Sequence, residues 1–346
     1  MTIPFVKAGY WSSTSQFAVG SIESSHFTHL FCAFAELNAE TFEVSFPTPT
    51  MLDFKTFTQT VQRRNPDVRT LLSIGGPVSN PSIFASMASQ AGGRKIFINS
   101  SIKLARTNNF HGLDLSWLYP STADESRHLG ELLKEWHDAI VDDAKGIGKP
   151  QLLLTAQVFY SPRRYSYPDA PIISHSLDWV NVLAYDFYSP SNSPNQTGAH
   201  SALRSKGEQP SVETGINAWI ESGVEKTKLV LGLPFYGCAW LLADKNINEI
   251  SSPAKGAPPS YPTGTIGYNQ IKNFIARDQH TKVKFDTGTE THYCYDHTIC
   301  ISYDDTKSII KKVEYAKEKE LHGYFAWHVG YDSNWILSET AARGGV

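Results

Sequence analysis

One segment is the most informative about the fold of this 346-residue chain: Phe110-His111-Gly112-Leu113-Asp114-Leu115-Ser116-Trp117-Leu118-Tyr119-Pro120. Its pattern predicts a β-strand over Gly112–Leu118, because apolar residues alternate with small or polar ones. Alternate residues of a strand point to the same side, so Asp114, Ser116 and Leu118 are predicted to share one face. That face would carry one carboxylate, one hydroxyl and one hydrocarbon group.

Similar short runs rich in β-branched and aromatic residues recur along the chain and alternate with longer amphipathic stretches. This order is typical of repeated βα units and predicts a (β/α)8 TIM barrel of the α/β class. The eight candidate strands are Phe5–Trp11, His29–Ala35, Arg69–Ile74, Gly112–Leu118, Leu152–Val158, Trp179–Tyr185, Leu229–Phe235 and Gly323–Trp327. The clearest helices are Ser126–Ala144, Thr214–Ser222 and Asp305–Lys319.

The stretch between the last two candidate strands is too long for a single connecting helix. Its middle is rich in Gly, Pro, Asn and Tyr, and it indicates small strands with a short helix. We therefore predict an α+β insertion over 239–302, with the barrel formed by 1–238 and 303–346.

Several motifs together resemble the family 18 glycoside hydrolases, and plant class V chitinases in particular. The segment Gly112–Pro120 resembles the D-G-x-D-x-D-x-E strand of that family. Further matches are Tyr10-Trp11, Phe31–Phe34, Ser73-Ile74-Gly75-Gly76, Leu183-Ala184-Tyr185-Asp186, Leu231–Gly237 and Gly323–Trp327. The resemblance implies the barrel, and also the insertion beside a substrate groove.

Three positions of the acidic strand depart from the family pattern. His111 stands for the first acid, Ser116 for the third, and Leu118 for the glutamate that protonates the leaving sugar oxygen. His111 lies an odd number of residues from Asp114, so we predict a buried structural histidine that points away from the barrel interior. Since an isobutyl group has no proton to give, the resemblance implies a hydrolase scaffold without its catalytic acid.

The remaining site residues are predicted to bind ligand rather than to catalyse. By resemblance, Tyr185 would orient the sugar acetamide, Asp186 would accept sugar hydroxyl protons, and Trp327 would form an apolar floor. Two roles of Asp114 stay open: it could contact the ligand, or it could support the strand packing. A carboxylate inside a barrel must be hydrogen-bonded in either case. Three further aromatic residues could line the pocket or belong to the core: Tyr10, Phe34 and Tyr236.

Composition and cysteine spacing argue against several other classes of partner and cofactor. A formal net charge of −3 predicts no binding to nucleic acid or to anionic membranes. No segment has the roughly 20 apolar residues needed to span a bilayer. The spacing of the four cysteines shows no zinc pattern, so we predict neither a metal site nor a cofactor. Cys294 and Cys300 flank a predicted hairpin turn and could form a disulfide, whereas Cys32 and Cys238 are predicted to be buried thiols.

Location and assembly follow only from the resemblance. The first residues show no signal-peptide pattern, but the resemblance implies a secreted or vacuolar plant protein. Two sequons, at Asn99 and Asn195, could carry glycans. Agglutination would need more than one site per particle, hence a dimer or a second site, and the sequence shows neither.

The leading hypothesis is a chitinase-like lectin, without hydrolase activity, that binds chitin-type or N-glycan sugars. One alternative is a repurposed enzyme that acts on a non-sugar plant metabolite in the former sugar pocket. Another is an inhibitor of foreign hydrolases, and a fourth is a weak residual chitinase. These four hypotheses stay open on the sequence.

Overall fold

The computed structural model describes residues 4–207 and 209–344 of the chain. Residues 1–3, which showed no signal-peptide pattern, lie outside the described part. The chain divides into two compact units. The first takes its described residues from Met1–Leu183, Ile216–Leu231 and Glu320–Phe325, and the second from Ala184–Gly215, Gly232–Lys319 and Ala326–Val346.

The described strands, in chain order, are β1 Val6–Ser12, β2 His29–Leu37, β3 Val44–Ser45, β4 Arg69–Gly75, β5 Gly112–Ser116, β6 Leu153–Phe159, β7 Trp179–Leu183, β8 Leu229–Pro234, β9 Tyr236–Leu241, β10 Thr265–Gly267, β11 Lys282–Asp286, β12 Thr291–Tyr295, β13 Ile299–Tyr303 and β14 Gly323–Trp327. The α-helices are α1 Met51–Gln62, α2 Pro81–Ser89, α3 Ala91–Thr107, α4 Ala123–Ile147, α5 Ala170–Ser176, α6 Val212–Glu221, α7 Tyr268–Arg277, α8 Thr306–Glu318 and α9 Ile336–Gly344. Among the described residues, no helix combines the length and apolar character needed to cross a bilayer.

Eight parallel strands close into a barrel, which confirms the predicted (β/α)8 TIM fold. The order is β1-β14-β8-β7-β6-β5-β4-β2, and β1 pairs with β2 to close the ring. All eight strands have residues in the first unit. Strands of such a barrel are covered on both faces, and all five residues of β5 are accordingly buried.

The predicted strand Gly112–Leu118 is too long, because the structure ends β5 at Ser116. Its ladder with β4 ends at the pair Gly75–Ser116, and its ladder with β6 ends one residue earlier. With no neighbour to pair with, the chain leaves the sheet before Leu118. The two-residue alternation that was to place Leu118 beside Asp114 and Ser116 therefore does not extend that far.

The second unit is built around a five-stranded antiparallel sheet in the order β10-β9-β13-β12-β11, with α7 between β10 and β11 along the chain. Two segments outside the sheet belong to the same unit, one at His200-Ser201 and the other at Asp304. The backbone N–H of His200 donates to Oγ of Ser302 at 3.2 Å, and the hydroxyl of Ser201 donates to Asp304 at 2.8 Å. The insertion boundaries at 239 and 302 stay a prediction.

The suggested disulfide between Cys294 and Cys300 is wrong in this structure, where all four cysteines are free and buried. Across β12 and β13, Cys300 lies opposite Tyr295, the residue next to Cys294. Neighbouring residues of a strand point to opposite faces, whereas directly opposed residues share a face. The two thiols therefore point to opposite sides of the sheet.

Candidate functional site

Asp114, at the centre of β5, is wholly buried inside the barrel of the first unit. One carboxylate oxygen accepts hydrogen bonds from the Tyr10 hydroxyl at 2.9 Å and the Ser73 hydroxyl at 2.6 Å. The other accepts from the Thr155 hydroxyl at 2.7 Å and from the Asn181 amide at 3.4 Å. Each oxygen thus has two protein donors, which is what a buried carboxylate requires.

This environment favours the structural role of Asp114 over ligand contact. Burial raises the pKa of its carboxyl above the usual value, although the four hydrogen bonds oppose the shift. Tyr10 belongs to the same network, because its hydroxyl also accepts from the Asn181 amide at 2.8 Å. Tyr10 is fully buried and stacks on Phe31 with ring centres 4.2 Å apart, so it belongs to the core.

The glycines of the Ser73–Gly76 motif allow β4 to approach its neighbours. Gly75 and Gly76 have φ angles of 109° and 91°, which L side chains rarely adopt. A Cβ at Gly75 would lie 2.4 Å from the Ser116 carbonyl oxygen, and one at Gly76 would lie 2.4 Å from the Phe34 ring. The motif therefore shapes the turn after β4.

Ser116, in the position of the third acid, is buried, and its hydroxyl donates to Oε1 of Gln157 at 2.7 Å. Nε2 of Gln157 is buried and has no hydrogen-bond partner within the described part of the chain. A serine and an amide thus replace acidic chemistry at this point of the barrel. Neither side chain can protonate a glycosidic oxygen.

Leu118 is half-buried beyond the end of β5 and supplies only hydrocarbon. His111 precedes β5 and is half-buried rather than fully buried. Its Nδ1 is 3.0 Å from the backbone nitrogen of Thr70, which donates to it, and 3.2 Å from the Thr70 hydroxyl. His111 is thus tied to the start of the neighbouring strand, five residues upstream of Ser116.

The first unit also contains a cavity of about 640 Å³. Phe34, a candidate pocket residue within β2, lines it, together with later residues of β2 and residues that follow β4. Members of the lining include Glu36, Val78, Ser79 and Phe84. Apolar surface with one carboxylate suits an uncharged polar ligand that has both ring faces and hydroxyl groups.

Three predicted ligand residues are in contact within the second unit. The Tyr236 hydroxyl donates to the Asp186 carboxylate at 2.6 Å. The Tyr185 ring meets the Tyr236 ring edge-on with centres 5.9 Å apart. The side chain of Asp186 is 58 % exposed, so it can also accept from a ligand. Burial raises the pKa of the Tyr236 hydroxyl well above its usual value, which keeps it a donor.

Trp327, at the end of β14, is half-buried and meets the ring of His328 at a right angle. Nδ1 of His328 accepts from the backbone N–H of Gly330 at 3.1 Å. Burial lowers the pKa of His328 to about 4. His328, the residue next to Trp327 in the chain, is therefore uncharged near neutral pH and places no positive charge there.

Sequence reasoning missed several buried polar residues that surround Asp114 and Asp186. Thr155, Gln157 and Asn181 lie at alternate positions of β6 and β7, where interior residues of a barrel are expected, so the two-residue period could have found them. His200 and Cys238, beside Asp186, gave no spacing signal because they are far apart in the chain.

The asparagines of both sequons are exposed, whereas Ser101 and Thr197, the hydroxyl residues of the two sequons, are buried. Asn99 is exposed on α3, and Asn195 is exposed in the loop that follows β7. Their modification stays a prediction.

Comparison with known proteins decides the family, since residues 6–332 match the glycosyl hydrolases family 18. The chain belongs to this family. It is 50% identical to a class V chitinase of Arabidopsis thaliana over 98% of this chain and 89% of the relative. The crystal structure of a class V chitinase from Nicotiana tobaccum superposes with a TM-score of 0.96 at 45% identity, covering 99% of each chain. The chitinase-like agglutinin of Robinia pseudoacacia superposes with a TM-score of 0.93, also at 45% identity, covering 99% of this chain and 100% of that one.

These similarities show a plant class V chitinase-like protein with a family 18 barrel. The solved chitinase and the solved agglutinin are equally identical to this chain, so overall similarity does not separate the two. Only the residues of the site can distinguish a chitinase from an agglutinin.

Proposed function

We propose that this chain is a carbohydrate-binding protein of the chitinase-like kind that has lost glycoside hydrolase activity. The observation that carries the proposal is the chemistry at the end of β5. Leu118 offers hydrocarbon where the family resemblance places the proton donor, and the hydroxyl of Ser116 is bonded to Gln157. Only Asp114 retains a carboxylate on this strand, and it is enclosed by four donors.

A missing general acid is costly to the reaction. General acid catalysis typically supplies about 10²–10⁴-fold in rate. Groups that act as a unit are not additive, so the loss of one member can cost nearly as much as the loss of all. Enclosed in the barrel, Asp114 cannot take the role of the acid by reaching a glycosidic oxygen. The proposal therefore expects binding without measurable bond cleavage.

The binding groups support a carbohydrate as ligand. In the second unit, Asp186 is an exposed acceptor beside the rings of Tyr185 and Tyr236, and such pairs of carboxylate and aromatic face suit sugar hydroxyls and sugar rings. A mutant of the similar Nicotiana enzyme was solved in complex with NAG4. Chitin-type oligosaccharides and N-glycan core sugars are therefore the first ligands to test.

The test combines a glycan array with calorimetry and a reducing-sugar assay on the same preparation. We expect saturable binding of chitooligosaccharides and no release of reducing ends over hours. Release of reducing sugar by contaminant-free protein would overturn the loss of activity. Absence of binding to every glycan would instead overturn the lectin role and favour an inhibitor or a metabolite enzyme.

A further inference from the structure

The second unit brings three potential metal ligands together: Asp186, His200 and Cys238. One donor atom from each lies within 4.8 Å of the other two, and Nδ1 of His200 is 4.0 Å from Oδ1 of Asp186. Zinc binds nitrogen and oxygen at about 2.0–2.2 Å and sulfur at about 2.3 Å, which places tetrahedral donors roughly 3.3–3.8 Å apart. A contraction of up to about 1.5 Å would bring the three side chains to that geometry.

The backbone holds these three residues in place without a metal. The N–H of Phe187, next to Asp186, donates to the carbonyl of His200 at 2.9 Å. The N–H of His200 donates to Ser302, and Ser302 is the register partner of Cys238 across β13 and β9. The three ligands thus come from separate segments that hydrogen bonds already join, and little ordering would be needed on binding.

His200 is the observation that points to a ligand. Its side chain is completely buried, and among the described residues neither ring nitrogen has a well-aligned hydrogen-bond partner, although the backbone of Tyr236 approaches the ring. A buried imidazole without partners loses the hydrogen bonds it makes in water. A neutral imidazole offers a nitrogen lone pair to a metal ion.

Cys238 supplies the soft ligand. It is buried, and it shares a face of β9 with Tyr236, whose ring lies 5.3 Å from that of His200. A thiol that coordinates a divalent metal is deprotonated by the metal charge, so Cys238 would bind as a thiolate.

We propose that Asp186, His200 and Cys238 form a zinc site. A thiolate, an imidazole and a carboxylate suit Zn²⁺ better than Mg²⁺ or Ca²⁺, which take oxygen ligands only. Three protein ligands leave the fourth tetrahedral position for water, and the exposed side of Asp186 gives that position access to solvent.

The test uses the full chain after treatment with a chelator, titrated with ZnCl2 in calorimetry and with CoCl2 in absorption spectroscopy. We expect about one tight equivalent of zinc and, with cobalt, a near-ultraviolet thiolate-to-cobalt charge-transfer band. Cys238→Ser should abolish that band, and Cys238→Ser or His200→Gln should weaken zinc binding by more than about tenfold.

Two matched variants exclude other sites. Cys32→Ser removes a buried thiol outside the cluster, and His175→Ala disrupts the surface group of His137, Asp138 and His175, which could also hold a metal. Both should leave the cobalt band and the zinc affinity unchanged. A wild-type cobalt spectrum without the charge-transfer band would overturn the proposal, whether or not the variants fold. Loss of zinc binding in His175→Ala alone would also overturn it.

Discussion

The hydroxyl of Ser116 donates a 2.7 Å hydrogen bond to Oε1 of Gln157, and both side chains are buried in the barrel. This pair replaces acidic chemistry on the strand that, in a hydrolase of this family, would lead to the catalytic acid. Leu118 follows two residues later without a polar atom. Compared with the family pattern, the site therefore has no carboxylate at positions 116 and 118, while the barrel around them is closed.

The double change Ser116→Asp with Leu118→Glu should restore some chitin cleavage. The new aspartate would meet Gln157, whose Nε2 has no other partner among the described residues and can donate to it. General acid catalysis then adds about 10²–10⁴-fold over the unmodified chain. Reducing-end release from chitooligosaccharides measures the gain. Ser116→Asp alone is the control and should stay inactive, and an inactive but folded and sugar-binding double variant would contradict the reading of Leu118.

Asp114→Ala should destabilise the barrel severely. It leaves the donors of Tyr10, Ser73, Thr155 and Asn181 buried without their shared acceptor. We expect a loss of about 3–5 kcal/mol in the free energy of unfolding, measured by urea denaturation. Ser73→Ala removes only one donor and should cost about 1 kcal/mol. Unchanged stability of Asp114→Ala would show that the network is not structural.

Asp186→Asn should weaken carbohydrate binding without loss of stability. The exposed side chain loses its charge, and hydrogen bonds from sugar hydroxyls to a carboxylate are stronger than those to an amide. We expect an affinity drop of about 5- to 30-fold in calorimetry, corresponding to about 1–2 kcal/mol. Asp67→Asn, at an exposed position before β4, is the matched control. Equal affinity of both variants would remove Asp186 from the binding site.

The stability of the protein should fall on acidification, in part through His328. Its folded pKa of about 4 lies below the ordinary value of 6.5, so the unfolded chain takes up the proton first. The contribution of neutral His328 to the free energy of unfolding is fully present above pH 6.5 and is lost as the pH falls to about 4. In His328→Asn, which can still accept from Gly330, the fall between about pH 7 and pH 4 should be roughly 2–3 kcal/mol smaller. Identical pH dependence of the two proteins would refute this assignment.

All four cysteines should titrate as thiols only after unfolding. They are buried, and burial raises the pKa of each thiol, which suppresses the reactive thiolate. A thiol reagent should react slowly with the native protein and with four groups in denaturant without reductant. Two reactive groups instead of four would indicate that Cys294 and Cys300 do form a disulfide.

Much of the fold was predictable because its signals are local. Each barrel strand is a short buried run, and all eight candidates end within two residues of the observed strands at both termini. Three differ by two residues at one end: His29–Ala35 continues to Leu37, Gly112–Leu118 stops at Ser116, and Trp179–Tyr185 stops at Leu183. Strand ends depend on where the neighbouring strand stops pairing. That information is not in the segment itself, which is why Leu118 was placed in β5.

Residue type and local periodicity are enough to predict the barrel and the lack of a proton donor at position 118. The enclosure of Asp114 by four donors is visible only in the folded chain, because the donors come from four strands that the fold brings together. The same holds for Cys294 and Cys300, whose separation follows from strand register, and for Asp186, His200 and Cys238, which meet through backbone hydrogen bonds between distant segments. Such contacts join residues that are far apart in the chain, so a sequence pattern can mark a side chain as interior but cannot show which residues it meets.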